Sequence, residues 1–157
     1  MFKDAAIDGV KIKKIQKYED QRGWLIELFR QDELEADECP VMSYVSETKP
    51  GIARGPHEHE FQTDYFAFIG PSTFKIYLWD NRKQSQTFGN RMVIQLGEEY
   101  PGSVIIPPGV VHAYKNSGKT NGWVFNAPNK LFAGKNKKEA VDEIRHEDDA
   151  NTLYQLD

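Results

Sequence analysis

The sequence of 157 residues has little cysteine, no long apolar run and no excess of basic residues. Its one cysteine, Cys39, excludes a disulfide within the chain, fits a reducing compartment and is expected to be a small buried residue. No apolar run approaches the roughly 20 residues of a membrane span, and the first ten residues lack the apolar stretch of a signal peptide. The net charge is -4 without a basic stripe. We therefore expect a cytoplasmic protein with neither a membrane nor a nucleic-acid partner.

Short apolar segments with a period of two fill most of the chain. They are rich in β-branched and aromatic residues, and they cover 10–12, 24–29, 41–45, 65–69, 74–79, 91–96, 103–106 and 123–126. Turn-forming residues separate them, which is typical of an antiparallel sandwich or barrel. Residues 74–79 alternate so cleanly that we expect one face in the core and the other at a cavity or interface. Helical signal is weak and predicts short helices over 31–38 and 137–144.

Two segments, 51–70 and 102–116, contain most of the candidate functional residues. In the first, His57 and His59 are two residues apart, so they project from the same face of an extended strand. The carboxylate of Asp64 follows, and the second segment carries His112. The spacing of glycine, histidine and proline in both segments resembles the two cupin motifs, with Asp64 in place of the usual glutamate. The resemblance implies an all-β fold, the double-stranded β-helix or cupin jelly roll, which is an antiparallel β-sandwich with short peripheral helices.

We expect one domain over 1–157, with an N-terminal strand arm over about 1–30, a core over about 40–130 and a C-terminal helix or tail over about 131–157. Within the cupins, the chain resembles the dTDP-4-dehydrorhamnose 3,5-epimerases. The matching segments are Asp20-Gln-Arg22-Gly23 with Glu27, Gly51-x-x-Arg54-Gly55-x-His57, the turn at 80–89, the IPPGVVH motif at 106–112 and Glu147-Asp148-Asp149. The resemblance implies a homodimeric isomerase without a cofactor. Its substrate would be a nucleotide-linked 4-keto-deoxysugar, most simply a dTDP-sugar, epimerised by removal of a proton next to the ketone.

The resemblance also implies catalytic roles. His57 would be the base, and Asp148 or Asp149 would orient a histidine. The proton next to a ketone is weakly acidic, so its removal needs a positioned base that is basic near neutral pH, and a carboxylate-supported imidazole is such a base. His112 and Arg54 would stabilise the enolate and the diphosphate.

Two residues of the family pattern are replaced. The family's general-acid tyrosine aligns with Phe125, which cannot titrate, and a second tyrosine aligns with Leu131. A single epimerisation or a keto-sugar isomerisation is therefore an alternative to the double epimerisation. Arg22 matches an arginine that reaches the diphosphate across a dimer interface, although it could instead form an ion pair with Glu27. The predicted substrate-binding residues are Arg22, Glu27, Arg54, Tyr65, Tyr77 and Tyr114.

The family's enolate-stabilising lysine is also replaced, by the carboxylate of Asp64. Three histidines and this carboxylate form a set that binds a divalent transition metal in other cupins: His57, His59, Asp64 and His112. One alternative hypothesis is therefore a metal-dependent cupin enzyme acting on another small substrate. Another is a non-catalytic module that binds sugar nucleotides. His146 lies in an acidic tail and is expected to be solvated.

Overall fold

Two β-sheets and a hairpin form the framework of the fold in the computed structural model, which describes residues 2–157. The thirteen strands of that range are β1 (Lys3–Asp4), β2 (Lys11–Lys14), β3 (Lys17–Asp20), β4 (Gly23–Ile26), β5 (Tyr44–Thr48), β6 (Ala53–Glu58), β7 (Asp64–Phe68), β8 (Thr73–Asp80), β9 (Asn90–Gly97), β10 (Gly102–Ile106), β11 (Val110–Asn116), β12 (Gly122–Asn126) and β13 (Ile144–Arg145). The helices of the described range are two single 3₁₀ turns, Gln31–Glu33 and Lys135–Lys137.

The larger sheet has the strand order β1-β9-β8-β11-β6-β13 and the smaller sheet the order β2-β10-β7-β12-β5. Strands β3 and β4 form a separate hairpin. The pairing is antiparallel, apart from β1, which runs parallel to β9. From β5 onward, most sheet neighbours are distant in sequence because the chain crosses between the two sheets, as in a jelly roll. The predicted all-β sandwich is confirmed.

The layer between the two sheets is the main apolar core. Its buried members include Phe66, Phe68, Phe74, Ile76, Leu78, Val104, Ile106, Val110 and Val124. Successive side chains of a strand point to opposite faces, so the period of two in the sequence places alternate residues in this layer. Each large side chain buried here stabilises the fold by roughly 1.5–3 kcal/mol.

The terminal parts of the chain cover both outer faces of the sandwich. Tyr65 and Ala67, on the smaller sheet, pack with Ile26, Leu28 and Leu34. Tyr77 and Trp79, on the larger sheet, pack with Phe2, Tyr154 and Leu156. The expectation that the second face of 74–79 lines a cavity or an interface is therefore wrong, because that face is a packed layer of its own.

The predicted helix over 137–144 is also wrong, and that over 31–38 shrinks to the turn Gln31–Glu33. Gly134, Asn136 and Lys137 have positive φ angles, so a right-handed helix cannot begin at residue 137. The chain then extends and pairs as β13 with β6, where Ile144 lies opposite Glu58. Its backbone groups find partners in a sheet rather than within a helix.

Two expectations drawn from the composition can be compared with the fold. Within residues 2–157, no helix combines the length and the apolar character needed to cross a membrane. Cys39 is half-buried rather than buried, and its thiol donates a hydrogen bond to the carbonyl of Glu35 at 3.4 Å. It therefore fills space at the edge of a loop and not in the core.

Candidate active site

A cavity of about 1200 Å³ is lined by residues of both sheets. Arg54 and His57 line it from the larger sheet, and Tyr44, Ser46 and Phe66 line it from the smaller one. Much of the remaining wall comes from the C-terminal residues 128–147, including Lys130, Lys135 and Lys137. A concave site of about this size, in which apolar and charged side chains converge, is typical of a small-molecule site.

The structure brings together the three histidines that the sequence singled out. His57 on β6 lies directly opposite His112 on β11, with ring centroids 4.4 Å apart. The ring of His59, just after β6, lies 5.6 Å from His57 and 5.7 Å from His112. Gly55 makes this approach possible. Its φ is +79°, and a β carbon there would lie 2.6 Å from the carbonyl oxygen of His112.

Asp64 joins the cluster from the opposite sheet, at the start of β7. Its Oδ2 lies 3.0 Å from Nε2 of His59 and 3.3 Å from Nε2 of His112. Its Oδ1 accepts hydrogen bonds from Gln62 Nε2 at 2.9 Å and from Asn126 Nδ2 at 3.0 Å. Burial alone would raise the pKa of Asp64, but the two histidines lower it below its usual range. Asp64 is therefore a buried carboxylate that stays ionised.

The protonation of His59 follows from that carboxylate. Burial opposes its charge, yet the contact with Asp64 and a hydrogen bond to the carbonyl of Asp142 raise the pKa of His59 to about 9. His59 also lines the cavity. The cluster thus presents a cationic imidazole to a ligand, and the negative charge of Asp64 lies behind it.

His57 has the opposite electrostatic character. Burial, followed by the neighbouring His112 and His59, lowers the pKa of His57 to about 2. The carboxylates nearest to its Nδ1 belong to Glu147 at 3.9 Å and Glu143 at 4.0 Å, beyond hydrogen-bonding distance. The site without a ligand therefore holds His57 as a neutral imidazole. The close carboxylate partner that the resemblance implied for this histidine is not within hydrogen-bonding distance.

The carboxylates assigned from sequence to orient a histidine need correction. Asp148 and Asp149 are exposed, and Asp149 accepts a hydrogen bond from the backbone N–H of Asn151. The nearby chain instead points Glu143 and Glu147 towards His57. The pairing of β13 with β6 determines which acidic side chains face His57. The run of acidic residues in the sequence does not show which of them these are.

Residues 141–147 form what we call the strap, which sequence reasoning missed. The carboxylate of Asp142 accepts hydrogen bonds from the backbone N–H groups of Glu60 at 2.8 Å and Phe61 at 2.9 Å. His146, expected to be solvated, is half-buried and lies 2.9 Å from Oε1 of Glu58. The alternation in Glu143-Ile-Arg-His146 was the available signal of an extended segment. The strap closes one side of the cavity.

The three tyrosines predicted to bind substrate differ in whether they line the cavity. Tyr114 lines the cavity, and its hydroxyl lies 3.0 Å from Oγ of Ser46. Tyr65 and Tyr77 do not line it, which corrects their assignment as substrate-binding residues. The hydroxyl of Tyr65 donates to the carbonyl of Leu28, and that of Tyr77 to the carbonyl of Asp157 at 3.1 Å. Both belong to outer faces, since odd-numbered residues of β7 and β8 point away from the inner layer.

Phe125 and Leu131 stand where the family tyrosines were aligned. Phe125 packs in the outer layer with Ala67, its partner across the sheet, so its side chain is turned away from the cavity. Leu131 lines the cavity. The sequence comparison missed Tyr44, which lies next to Asn126 across β5 and β12 and faces the cavity.

The predicted anion-binding arginines differ in position. Arg54 lines the cavity, where it donates to Oγ1 of Thr48 at 3.1 Å and to the carbonyl of Glu47 at 2.8 Å. Arg22 is exposed at the turn of the β3–β4 hairpin and pairs with Asp20. Glu27 is 3.6 Å from Arg30, rather than paired with Arg22, and lies outside the cavity. Of the two arginines predicted from the sequence, Arg54 lines the cavity and Arg22 does not; Arg145, which was not predicted, lines it as well.

A jelly-roll β-sandwich with histidines lining a cavity between its sheets has the cupin fold. The family model described as dTDP-4-dehydrorhamnose 3,5-epimerase matches residues 4–150, and the chain belongs to that family. This confirms the resemblance inferred from the motifs.

Relatives and solved structures agree with this membership. The chain is 39% identical over 114 residues to the spore coat polysaccharide biosynthesis protein SpsL of Bacillus subtilis, covering 73% of this chain and 74% of that one. It is 34% identical over 127 residues to the "Probable low-salt glycan biosynthesis epimerase Agl13" of Haloferax volcanii, covering 80% and 81%. The fold superposes on a dTDP sugar isomerase of Desulfovibrio desulfuricans with a TM-score of 0.82 at 20% identity, covering 96% and 91%.

Proposed function

We propose that the protein is an isomerase that epimerises a nucleotide-linked 4-keto-deoxysugar, most simply a dTDP-sugar. The observation that carries the proposal is the position of His57 on the wall of a 1200 Å³ cavity, with the carboxylates of Glu143 and Glu147 3.9–4.0 Å from its Nδ1. Family membership supplies the reaction class. Solved structures of similar fold include a 3'-monoepimerase of Streptomyces bikiniensis in complex with dTDP and an epimerase of Legionella pneumophila in complex with dTDP-4-keto-L-rhamnose.

In this proposal, His57 removes the proton from the carbon next to the ketone. Negative charge then develops on the ketone oxygen, and His59 and Arg54, which are close to His57 in sequence, are among the cavity cations that can stabilise it. His112 is 2% exposed and packs against His57, so it positions the base and Asp64 rather than contacting substrate. Glu143 and Glu147 are placed to stabilise the imidazolium once His57 is protonated.

The test is isotope exchange. With dTDP-4-keto-6-deoxyglucose in D₂O, we expect deuterium at one or both carbons that flank the ketone, and the number of labelled carbons reports single or double epimerisation. His57→Gln is expected to lower the exchange at least about 100-fold, whereas Asp148→Ala leaves it near the wild-type rate. Binding of dTDP without any exchange would contradict the proposal and favour a non-catalytic binding module.

A second candidate is a metal-dependent cupin enzyme acting on another small substrate. Potential ligand atoms of His57, His59 and His112 all lie within 4.8 Å of one another. Three buried atoms of the cluster have no hydrogen-bond partner among the described residues: His57 Nδ1, Asp64 Oδ2 and His112 Nε2. Imidazole nitrogens and a carboxylate fit a divalent transition metal, which would polarise a substrate carbonyl when bound.

Elemental analysis of protein purified without chelator separates the two candidates. About one transition metal per chain, lost in His59→Asn and Asp64→Asn but kept in His146→Asn, would establish the metal site. Metal well below stoichiometry would leave acid–base epimerisation as the function. The His146 variant is the matched control, because this histidine lies on the strap and outside the cluster.

A further inference from the structure

Inversion at carbon requires a second proton-transferring group. A base on one face of the sugar removes the proton, and the new proton must arrive on the other face of the planar enolate. His57 lies on the larger sheet, so the complementary donor is expected on the smaller one. Two phenols line the cavity, Tyr44 on β5 of the smaller sheet and Tyr114 on β11 of the larger sheet.

Tyr44 is held by a chain of contacts that leads to Asp64. Asn126 lies opposite Tyr44 across β12 and β5, and its Nδ2 is 2.8 Å from the hydroxyl of Tyr44 and 3.0 Å from Oδ1 of Asp64. An ionised carboxylate can only accept hydrogen bonds, so the amide nitrogen, and not the amide oxygen, must face Asp64. The same nitrogen therefore donates to Tyr44, whose oxygen is an acceptor.

The hydroxyl proton of Tyr44 is consequently available to a ligand. This hydroxyl donates no hydrogen bond among residues 2–157, and 47% of the residue's surface is accessible. Partial burial raises the pKa of Tyr44 to about 12, in spite of the hydrogen bond from Asn126. The phenol is protonated at neutral pH, which is the form that a proton donor needs.

Tyr114 is differently placed. It is 5% exposed, and its ring packs against Phe66, Phe68 and Phe74 with centroids 5.6–5.8 Å apart. Its hydroxyl is already engaged with Ser46 at 3.0 Å. It lies on the same strand as His112, next to the face that carries His57. Its geometry suits a packing residue that closes the end of the cavity.

We propose that Tyr44 is the proton donor opposite His57, a role that rests on the proposed epimerisation. In the forward step, the enolate carbon forms its new C–H bond as the O–H bond of Tyr44 breaks, which leaves a phenolate. His57 meanwhile carries the proton taken from the substrate. Solvent returns a proton to Tyr44 and removes one from His57, so the site is restored after each turnover. In the reverse reaction the two groups exchange roles.

The experiment compares Tyr44→Phe with Tyr114→Phe in D₂O and measures exchange and inversion separately. Tyr44→Phe should keep the deuterium exchange catalysed by His57, with return of the label to the original face, and should lose inversion at least about 100-fold. Tyr65→Phe removes a hydroxyl outside the cavity and is the control that should keep both, whereas Tyr114→Phe tests the other cavity phenol and should not lose inversion selectively. Because Tyr44 is half-exposed, its loss of one hydroxyl is not expected to unfold the protein.

The outcomes are distinguishable. The assignment of Tyr44 would be overturned if Tyr44→Phe inverted the substrate normally, or if it lost exchange together with inversion. Selective loss of inversion in Tyr114→Phe would overturn it as well. Absence of exchange in the wild-type protein would instead overturn the proposed function itself. Affinity for dTDP, measured by calorimetry, should stay within about twofold in both variants, since neither hydroxyl is assigned to the nucleotide.

Discussion

Asp80 explains why the turn at 80–89 has its particular sequence. Sequence comparison alone links this turn to the function of the family, but its polar residues surround the buried side chain of Asp80. Its side chain is fully buried and accepts hydrogen bonds from Arg82 Nε at 2.8 Å, Ser85 Oγ at 2.7 Å and Thr87 Oγ1 at 2.6 Å. These donors lie in the turn at 80–89, outside the cavity. The turn therefore serves the fold, and we expect its variants to lose stability before they lose chemistry.

We predict that Asp80→Asn costs about 3 kcal/mol, because it leaves Arg82 with no buried counter-ion. Burial opposes the charge of Asp80, but Arg82, Thr87 and Ser85 lower its pKa well below the ordinary value of about 3.9. The stabilising effect of this carboxylate is thus complete above about pH 4 and is lost as the pH falls towards the folded-state pKa. Urea unfolding at pH 7 and at pH 3 measures it.

The control for this prediction is Asp149→Asn, an exposed carboxylate whose replacement should change the stability by less than about 0.5 kcal/mol. The gap between wild type and Asp80→Asn should narrow at pH 3. A constant gap at both pH values would show that the loss comes from packing and not from the charge.

At the scale of elements, the strap shows how one short strand can complete a site. It pairs with β6, and the carboxylate of Asp142 accepts from two backbone N–H groups of the 60–61 turn. We predict that Asp142→Ala loosens the strap while costing only about 1–2 kcal/mol of global stability, because the freed N–H groups are exposed and can bind water. Hydrogen exchange should accelerate at the amides of residues 143–147.

Catalysis should respond to the same change, since the strap carries Glu143 and Glu147. The expected result is a fall in the rate of deuterium exchange into substrate of about tenfold. Asp148→Ala is the matched control, because this exposed residue follows the strap in sequence without holding it. Faster amide exchange with unchanged catalysis would show that the strap does not position the base.

At the scale of the whole molecule, the β3–β4 hairpin is the feature that a single chain leaves unexplained. It belongs to neither sheet and exposes Tyr18, Trp24 and Leu25 at 56%, 54% and 61%. A two-stranded hairpin is marginal in water unless something packs against it. We predict a homodimer in which a second chain covers this arm, and Leu25→Asp should shift the mass from light scattering towards that of the monomer.

Leu153→Asp is the control, because Leu153 is 77% exposed and lies far from the hairpin in sequence. If Arg22 at the hairpin turn serves the neighbouring site, Arg22→Ala and His57→Gln should complement each other. Mixed after subunit exchange, the two inactive proteins should regain about a quarter of the wild-type rate, since half of the dimers then contain one intact site. No recovery would place Arg22 outside the neighbour's site.

Much of the fold was predictable from local patterns. The period of two along residues 65–69 and 74–79 predicts strands with two faces, whatever lies around them. The histidine spacing in 57–59 and the motif ending at His112 likewise predict a clustered site. The sequence could not predict which face of each strand points to the cavity and which lies under the terminal parts of the chain, and so Tyr65 and Tyr77 were wrongly assigned to the cavity. Where the terminal segments pack depends on contacts between distant residues, which local periodicity does not encode.

The sequence by itself therefore determined the all-β class, the family and the set of histidines, His57, His59 and His112, that make up the cluster. Each of these follows from residue types at short, regular spacings. The tertiary structure alone decided that Glu143 and Glu147, and not Asp148 or Asp149, face His57, and that Tyr44 reaches the cavity beside Asn126. The physical reason is strand register: a shift of one residue turns a side chain to the opposite face, and register is set by contacts between segments far apart in the chain.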